Sequence, residues 1–284
     1  MTADLARHRY AERLRETAKL RSTAVVEAFA RVPREKFLGP GPWQLFVPGV
    51  PDEPWRMSPD ANPEHVYEDI PVALDVGRNL HDGVPSKFAE WIDAVSPAPG
   101  ERVLHVSCGA GYHTAILAEL VGSSGRVVAY EHDVSLAEQA RRNLCHMNHV
   151  SLSPSETGND AAFDVIFVSA GVTQPLSGWL SALKPGGRML LPFTVATWDG
   201  WTDGFAVRVE RYEPRGPGRW LARVVSRCSV RELPSARSAK AEIQLQKLLP
   251  ENAAERTRWA STLPHEHGEE WCLVHLDGFC LQGD

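Results

Sequence analysis

What most limits the fold of this chain is an alternation of apolar strands and amphipathic helices that begins at Gly100. RVLHVSC reads as a buried strand, TAILAELVG as a helix ended by Gly122, RVVAYEH as a second strand and VSLAEQARRNL as the next helix. VSLSPS predicts a short third strand, FDVIFVSA a fourth and RMLLPFTV a fifth. Strands that alternate with helices form a mostly parallel sheet covered on both faces, so the expected class is doubly wound α/β.

The flanks follow other patterns. Apolar residues at helical spacing from Leu5 to Phe29 predict one helix over residues 3–31. From VPREKFLGPGPW to Pro63, prolines and glycines crowd the chain, which reads as loop or lid rather than regular structure. A helix is expected after Pro85, through Phe88 and Trp91. Beyond Trp198, FAVRVERY and WLARVVSRCSV alternate apolar and polar residues around the turn PRGPG, the pattern of an antiparallel hairpin. SAKAEIQLQKLL predicts a helix and WCLVHLDGFCL a last strand. The chain thus divides into an N-terminal helix and lid region (1–65), an α/β core (66–197) and a C-terminal extension (198–284).

Composition narrows the function. A net charge of -6 provides no basic field for nucleic acid. No apolar run approaches the roughly 20 residues that span a bilayer, and MTADLARHRYAERLR has no apolar signal core, so a cytoplasmic protein with no membrane partner is expected. Five scattered cysteines without a C-x-x-C suggest reduced thiols rather than a disulfide framework or zinc site. PHEHGEE, at Pro264 to Glu270, holds two histidines and three carboxylates; it reads as a polar loop, and no metal is expected.

The chemistry is concentrated in VLHVSCGAGY, Val103 to Tyr112. A glycine turn between the first strand and its helix sets backbone N–H groups and a helix N-terminus beside a ligand. The spacing fits G-x-G-x-G with Ser107 in first place, followed by Gly109 and Gly111. Glu131, at the end of the next strand, can accept hydrogen bonds from both ribose hydroxyls of an adenosine-containing cofactor.

Over roughly residues 20–195 the chain resembles the protein-L-isoaspartate O-methyltransferase family, a Rossmann-like branch of the class I S-adenosylmethionine-dependent methyltransferases. AFARVPREKFL, YEDIP, GERVLHVSCGAGYHTAILAELVG, FDVIFVSAG and LKPGGRMLLPF carry the resemblance in matching order. It implies S-adenosyl-L-methionine as cofactor and S-adenosyl-L-homocysteine as product. It implies a cofactor site made of His105, Ser107, Gly109, Gly111, Tyr112, Glu131, His132, Glu156 and Ser169. Glu156, in Ser155-Glu156-Thr157, would take the place of the acidic residue that approaches the adenine amino group.

Three departures bear on the acceptor. His105 stands where the motif is usually acidic, and it offers a neutral ring nitrogen instead of a charge. Ser107 replaces a glycine. The I-S-x-P segment, whose serine sits by the substrate carboxylate, becomes GRNLHDGVPSKF, with His81 or Gly83 at the serine position. His81 next to Asp82 suits an acceptor that needs a base, and both are candidate catalytic residues. The expected acceptor is accordingly a specialised small molecule, such as a secondary metabolite, or a peptide. The alternatives are isoaspartyl protein repair and a cofactor-binding protein that uses S-adenosylmethionine without methylating. Oligomeric state is not legible in the sequence.

Overall fold

Two helices, α1 (Ala3–Thr17) and α2 (Thr23–Arg31), open the chain where periodicity predicts one. The break has a local cause. Ser22 caps α2 by accepting from Val25 N at 3.3 Å, while its own N–H donates to Asp93 Oδ1 at 2.8 Å, and Lys19 takes φ +51° between the helices. The computed structural model describes residues 2–50, 54–158, 162–197, 201–212, 219–248, 259–261, 272–276 and 279–282. The PRGPG turn and the polar run Pro264 to Glu270 lie outside them.

The Pro/Gly-rich stretch contains more order than its composition suggests. Strands β1 (Gln44–Phe46) and β2 (Trp55–Met57) pair antiparallel, and Leu45 bridges to Val72. Leu38, Trp43, Leu45, Val66 and Val72 form a buried cluster around them. Strands β3 (Ala73–Asp75) and β4 (Leu80–His81) make a short hairpin, and α3 (Pro85–Val95) starts with its proline in the first turn.

The alternating region follows as β5 (Arg102–Val106), α4 (Tyr112–Val121), β6 (Arg126–Tyr130), α5 (Val134–Leu144), β7 (Val150–Leu152), β8 (Phe163–Val168), α6 (Ser177–Ala182) and β9 (Leu183–Ala196). The extension adds β10 (Trp201–Arg211), β11 (Arg219–Arg231), α7 (Ala239–Leu248), β12 (Trp259–Ser261), β13 (Cys272–Leu276) and β14 (Phe279–Gln282). WCLVHLDGFCL therefore holds two antiparallel strands, not one.

The chain forms two compact units: Met1–Gly100 with Cys108–Leu152, and Glu101–Ser107 with Ser153–Asp284. Their borders run through the expected 66–197 core rather than around it. In the first unit β6 and β7 pair in parallel, and α2 packs on α4. In the second, β5 pairs in parallel with β8 and β8 with β9. From β9 the pairing turns antiparallel through β10, β11, β12, β14 and β13. Phe163 and Val165 to Val168 are all fully buried, as expected of a strand covered on both faces. The fold is α/β and Rossmann-like with an antiparallel extension. Among the described residues, no helix is long and apolar enough to cross a membrane.

Candidate active site

In the first unit, β6 delivers Glu131 to the glycine turn. Cys108 N–H donates to Tyr130 O at 3.0 Å, and Gly111 N–H donates to Cys108 O at 3.0 Å, closing the turn. Glu131 Oε2 accepts from Gly109 N–H at 2.7 Å and Oε1 from Asp133 N–H at 3.1 Å. The side chain is only 4% exposed, so these bonds hold a carboxylate that would otherwise be costly to bury. Each oxygen keeps acceptor capacity for ribose hydroxyls. His132 is half exposed, with Nδ1 3.1 Å from Glu131 Oε1.

The two glycines differ in purpose. Gly111, at φ +96°, sits under α5: a Cβ there would meet Leu144 Cδ1 at 2.8 Å. Asn143, also on α5, donates to Ala110 O at 2.9 Å and pins the same turn. Gly109, at φ +57°, has nothing within 4 Å of where its Cβ would be, so its side of the turn is open to a ligand. The Tyr112 ring turns inward against Phe29 and Phe37, and burial pushes its hydroxyl pKa well up. Tyr112 can therefore offer a ligand its backbone N–H at the start of α4, not its hydroxyl.

In the second unit, His105 lies opposite Phe167 in the parallel ladder and is 1% exposed. Its Nε2 is 2.8 Å from Ser169 Oγ. Burial pushes the imidazole down to about 3, so the ring is neutral near pH 7. Ser169 N–H donates to Val106 O at 3.0 Å, which carries the strand pairing to the end of β8. Ser107 takes φ +60°, the left-handed region that glycine occupies without cost. Its Oγ is buried and has no hydrogen-bond partner among the described residues. A buried hydroxyl left this way costs about 1–3 kcal/mol, which a polar ligand atom would recover. This orphaned hydroxyl, like the open side of Gly109, suits a bound polar cofactor.

Glu156 lies in a stiff loop after β7. Ser153 and Ser155 bond within it, and Ser155 Oγ is 2.9 Å from Thr157 Oγ1. The buried Trp179 donates Nε1–H to Glu156 O at 2.9 Å, and Ser235 Oγ donates to Glu156 Oε2 at 2.6 Å.

The acceptor candidates belong to the first unit. His81 Nδ1 accepts from Gly83 N–H at 3.0 Å, and the Trp55 ring lies 6.0 Å from the His81 ring. Asp82 does not orient His81. Its carboxylate takes both Nε and Nη2 of Arg34, at 2.7 and 2.9 Å, and accepts from Val72 N–H at 2.8 Å. Arg34 is fully buried and also donates to Val66 O, Glu68 O and Ile70 O. Burial disfavours the Arg34 cation, yet Asp82 outweighs it and raises its pKa. Asp82 is thus the counter-ion of Arg34, whose role is not legible in the run VPREKFL. Gly83, at φ +89°, has the Phe88 ring 2.3 Å from a hypothetical Cβ.

Comparison with known proteins joins these observations. The family model for protein-L-isoaspartate(D-aspartate) O-methyltransferase matches residues 54–199. The chain belongs to the protein-L-isoaspartate(D-aspartate) O-methyltransferase family. It is 33% identical over 194 residues to the protein-L-isoaspartate O-methyltransferase of Methanopyrus kandleri, covering 66% of this chain and 76% of that one. With that of Methanothrix thermoacetophila it shares 35% over 201 residues, covering 67% and 84%. Among solved structures, a protein-L-isoaspartate O-methyltransferase superposes with TM-score 0.65 and 20% identity, over 98% of this chain and 88% of its own. The fold of the C-terminal extension therefore has a counterpart there. A Plasmodium falciparum protein described as a putative protein-L-isoaspartate O-methyltransferase, solved with S-adenosyl-L-homocysteine, superposes with TM-score 0.58 and 14% identity, over 80% and 97%.

The family makes this chain an S-adenosylmethionine-dependent methyltransferase. The expectation of a secondary-metabolite acceptor finds no support among these relatives, which favour the isoaspartyl alternative.

Proposed function

We propose that this methyltransferase esterifies the carboxylate of isoaspartyl residues in peptides and proteins, with S-adenosylmethionine as donor. The observation that carries the reading is the 33% identity with a protein-L-isoaspartate O-methyltransferase over three quarters of that protein. The chemistry agrees with the engagement of Asp82. A carboxylate acceptor is ionised near pH 7 and requires no base, so a side chain committed to Arg34 is no loss.

When bound, the sulfonium cofactor supplies an already activated methyl group, and the protein's contribution is alignment. Glu131 would hold the ribose, and the N–H groups at Gly109 and Gly111 would border the methionine part. The Ser107 hydroxyl and the His105–Ser169 pair would meet polar atoms of that part without adding a charge. Glu156 would accept from the adenine amino group. His81, one of the two candidates for the place of the family's serine, would face the acceptor beside Trp55.

The test is methyl incorporation into an isoaspartyl hexapeptide and its aspartyl counterpart, read as base-labile methyl ester. Label on the isoaspartyl peptide alone is expected. Failure to label it, with S-adenosylhomocysteine still bound, would sink the acceptor assignment and leave the cofactor assignment intact.

A further inference from the structure

Within the second unit, the C-terminal extension touches a residue assigned to the cofactor. Ser235 donates its hydroxyl to Glu156 Oε2 at 2.6 Å. Ser235 sits in a single turn of tight helix, Pro234–Ala236, whose backbone is fastened on both sides. Leu233 N–H donates to Gly171 O at 2.9 Å, and Gly171 N–H donates to Arg231 O at 2.7 Å. Ala236 O accepts from Thr173 N–H at 3.0 Å and from Thr173 Oγ1 at 3.3 Å. Ser238 N–H returns to Thr173 Oγ1 at 2.7 Å. The hydroxyl of Ser235 is thus presented from an anchored backbone, not from a loose tail.

Glu156 is held at both ends. Trp179 fixes its backbone carbonyl, and Ser235 occupies one of its two carboxylate oxygens. A glutamate is one methylene longer than the aspartate that the family motif carries here, and the extra torsion widens the volume its carboxylate can sample. A hydroxyl donor on Oε2 removes that freedom and directs Oε1. We propose that Ser235 is a positioning residue for adenine recognition: it sets the rotamer of Glu156 so that the remaining oxygen accepts from the exocyclic amino group. The inference rests on the reading of Glu156 as the adenine partner, and it gives the extension a part in cofactor selectivity.

The experiment measures dissociation constants of S-adenosylhomocysteine and of its 6-oxo counterpart, S-inosylhomocysteine, by calorimetry. Wild type, Ser235→Ala, Ser235→Thr and Glu156→Gln are compared. The wild type is expected to prefer the amino form. Ser235→Ala should reduce that preference by about three- to tenfold, the loss of one hydrogen bond, and Ser235→Thr should restore it. Ser235 is exposed, so the alanine variant should melt as the wild type does without ligand. A preference unchanged in Ser235→Ala but lowered in Glu156→Gln would overturn the positioning role alone. A preference unchanged in both would overturn the adenine reading of Glu156, and the proposal with it.

Discussion

His105 shows how one side chain ties pH to stability. Its imidazole is buried beside Phe167 and Ser169, and burial lowers its pKa from 6.5 to about 3. Between those values the unfolded chain binds a proton that the folded chain refuses. The contribution is fully present above pH 6.5 and is lost progressively as pH falls toward 3. Urea midpoints at pH 7 and pH 5 should therefore fall further apart for the wild type than for His105→Gln; equal separations would contradict this. The sequence placed His105 in a strand and Glu131 at a strand end because both follow from local period and turn position. It could not show that Asp82 belongs to Arg34, 48 residues earlier, because no periodic pattern links them. Adjacency suggested a His81–Asp82 pair, and in the folded chain that adjacency yields to the buried guanidinium.

At the scale of elements, the glycine turn separates fold from binding. Gly111→Ala would drive a Cβ into Leu144 at a positive φ and should destabilise the protein by about 1–3 kcal/mol. Gly109→Ala meets no atom and carries only the strain of its positive φ, about 1 kcal/mol, so it should lose less stability than Gly111→Ala while weakening S-adenosylhomocysteine. Denaturation and calorimetry on the two variants check this; matching losses of stability would refute the distinction. The helices and strands from β5 to β9 were legible because apolar runs there are long and bounded by turn residues. The break at Ser22 was not, since Lys19 supplies the positive φ without glycine or proline to announce it. The division of the last strand had a signal: Asp277-Gly278 is a common hairpin pair lying between β13 and β14. The three-residue strands β1 and β2 are too short for periodicity to reveal.

For the molecule as a whole, cofactor occupancy should be visible as stability. A ligand that binds only the folded state adds RT ln(1 + [L]/Kd), about 2.7 kcal/mol at a hundredfold excess over Kd. S-adenosylhomocysteine should raise the melting temperature of the wild type and leave Glu131→Ala unchanged; equal shifts in both would remove Glu131 from the binding site. The α/β class and the family were legible in the sequence, because strand order and the glycine turn are local features repeated along the chain. The acceptor was not, because its segment departs from the family's pattern at the serine.

The fastening of Leu233 and Ala236 to Gly171 and Thr173 has a consequence for inheritance. Residues 171–173 lie inside the stretch 54–199 that identifies the family, and residues 233–236 lie outside it. A descendant that lost the outer segment would have to find new partners for the carbonyl of Gly171 and the amide of Thr173 and a new donor for Glu156. The extension and the loop at Glu156 are therefore expected to change together between lineages, with a glutamate at 156 kept where the hydroxyl at 235 is kept.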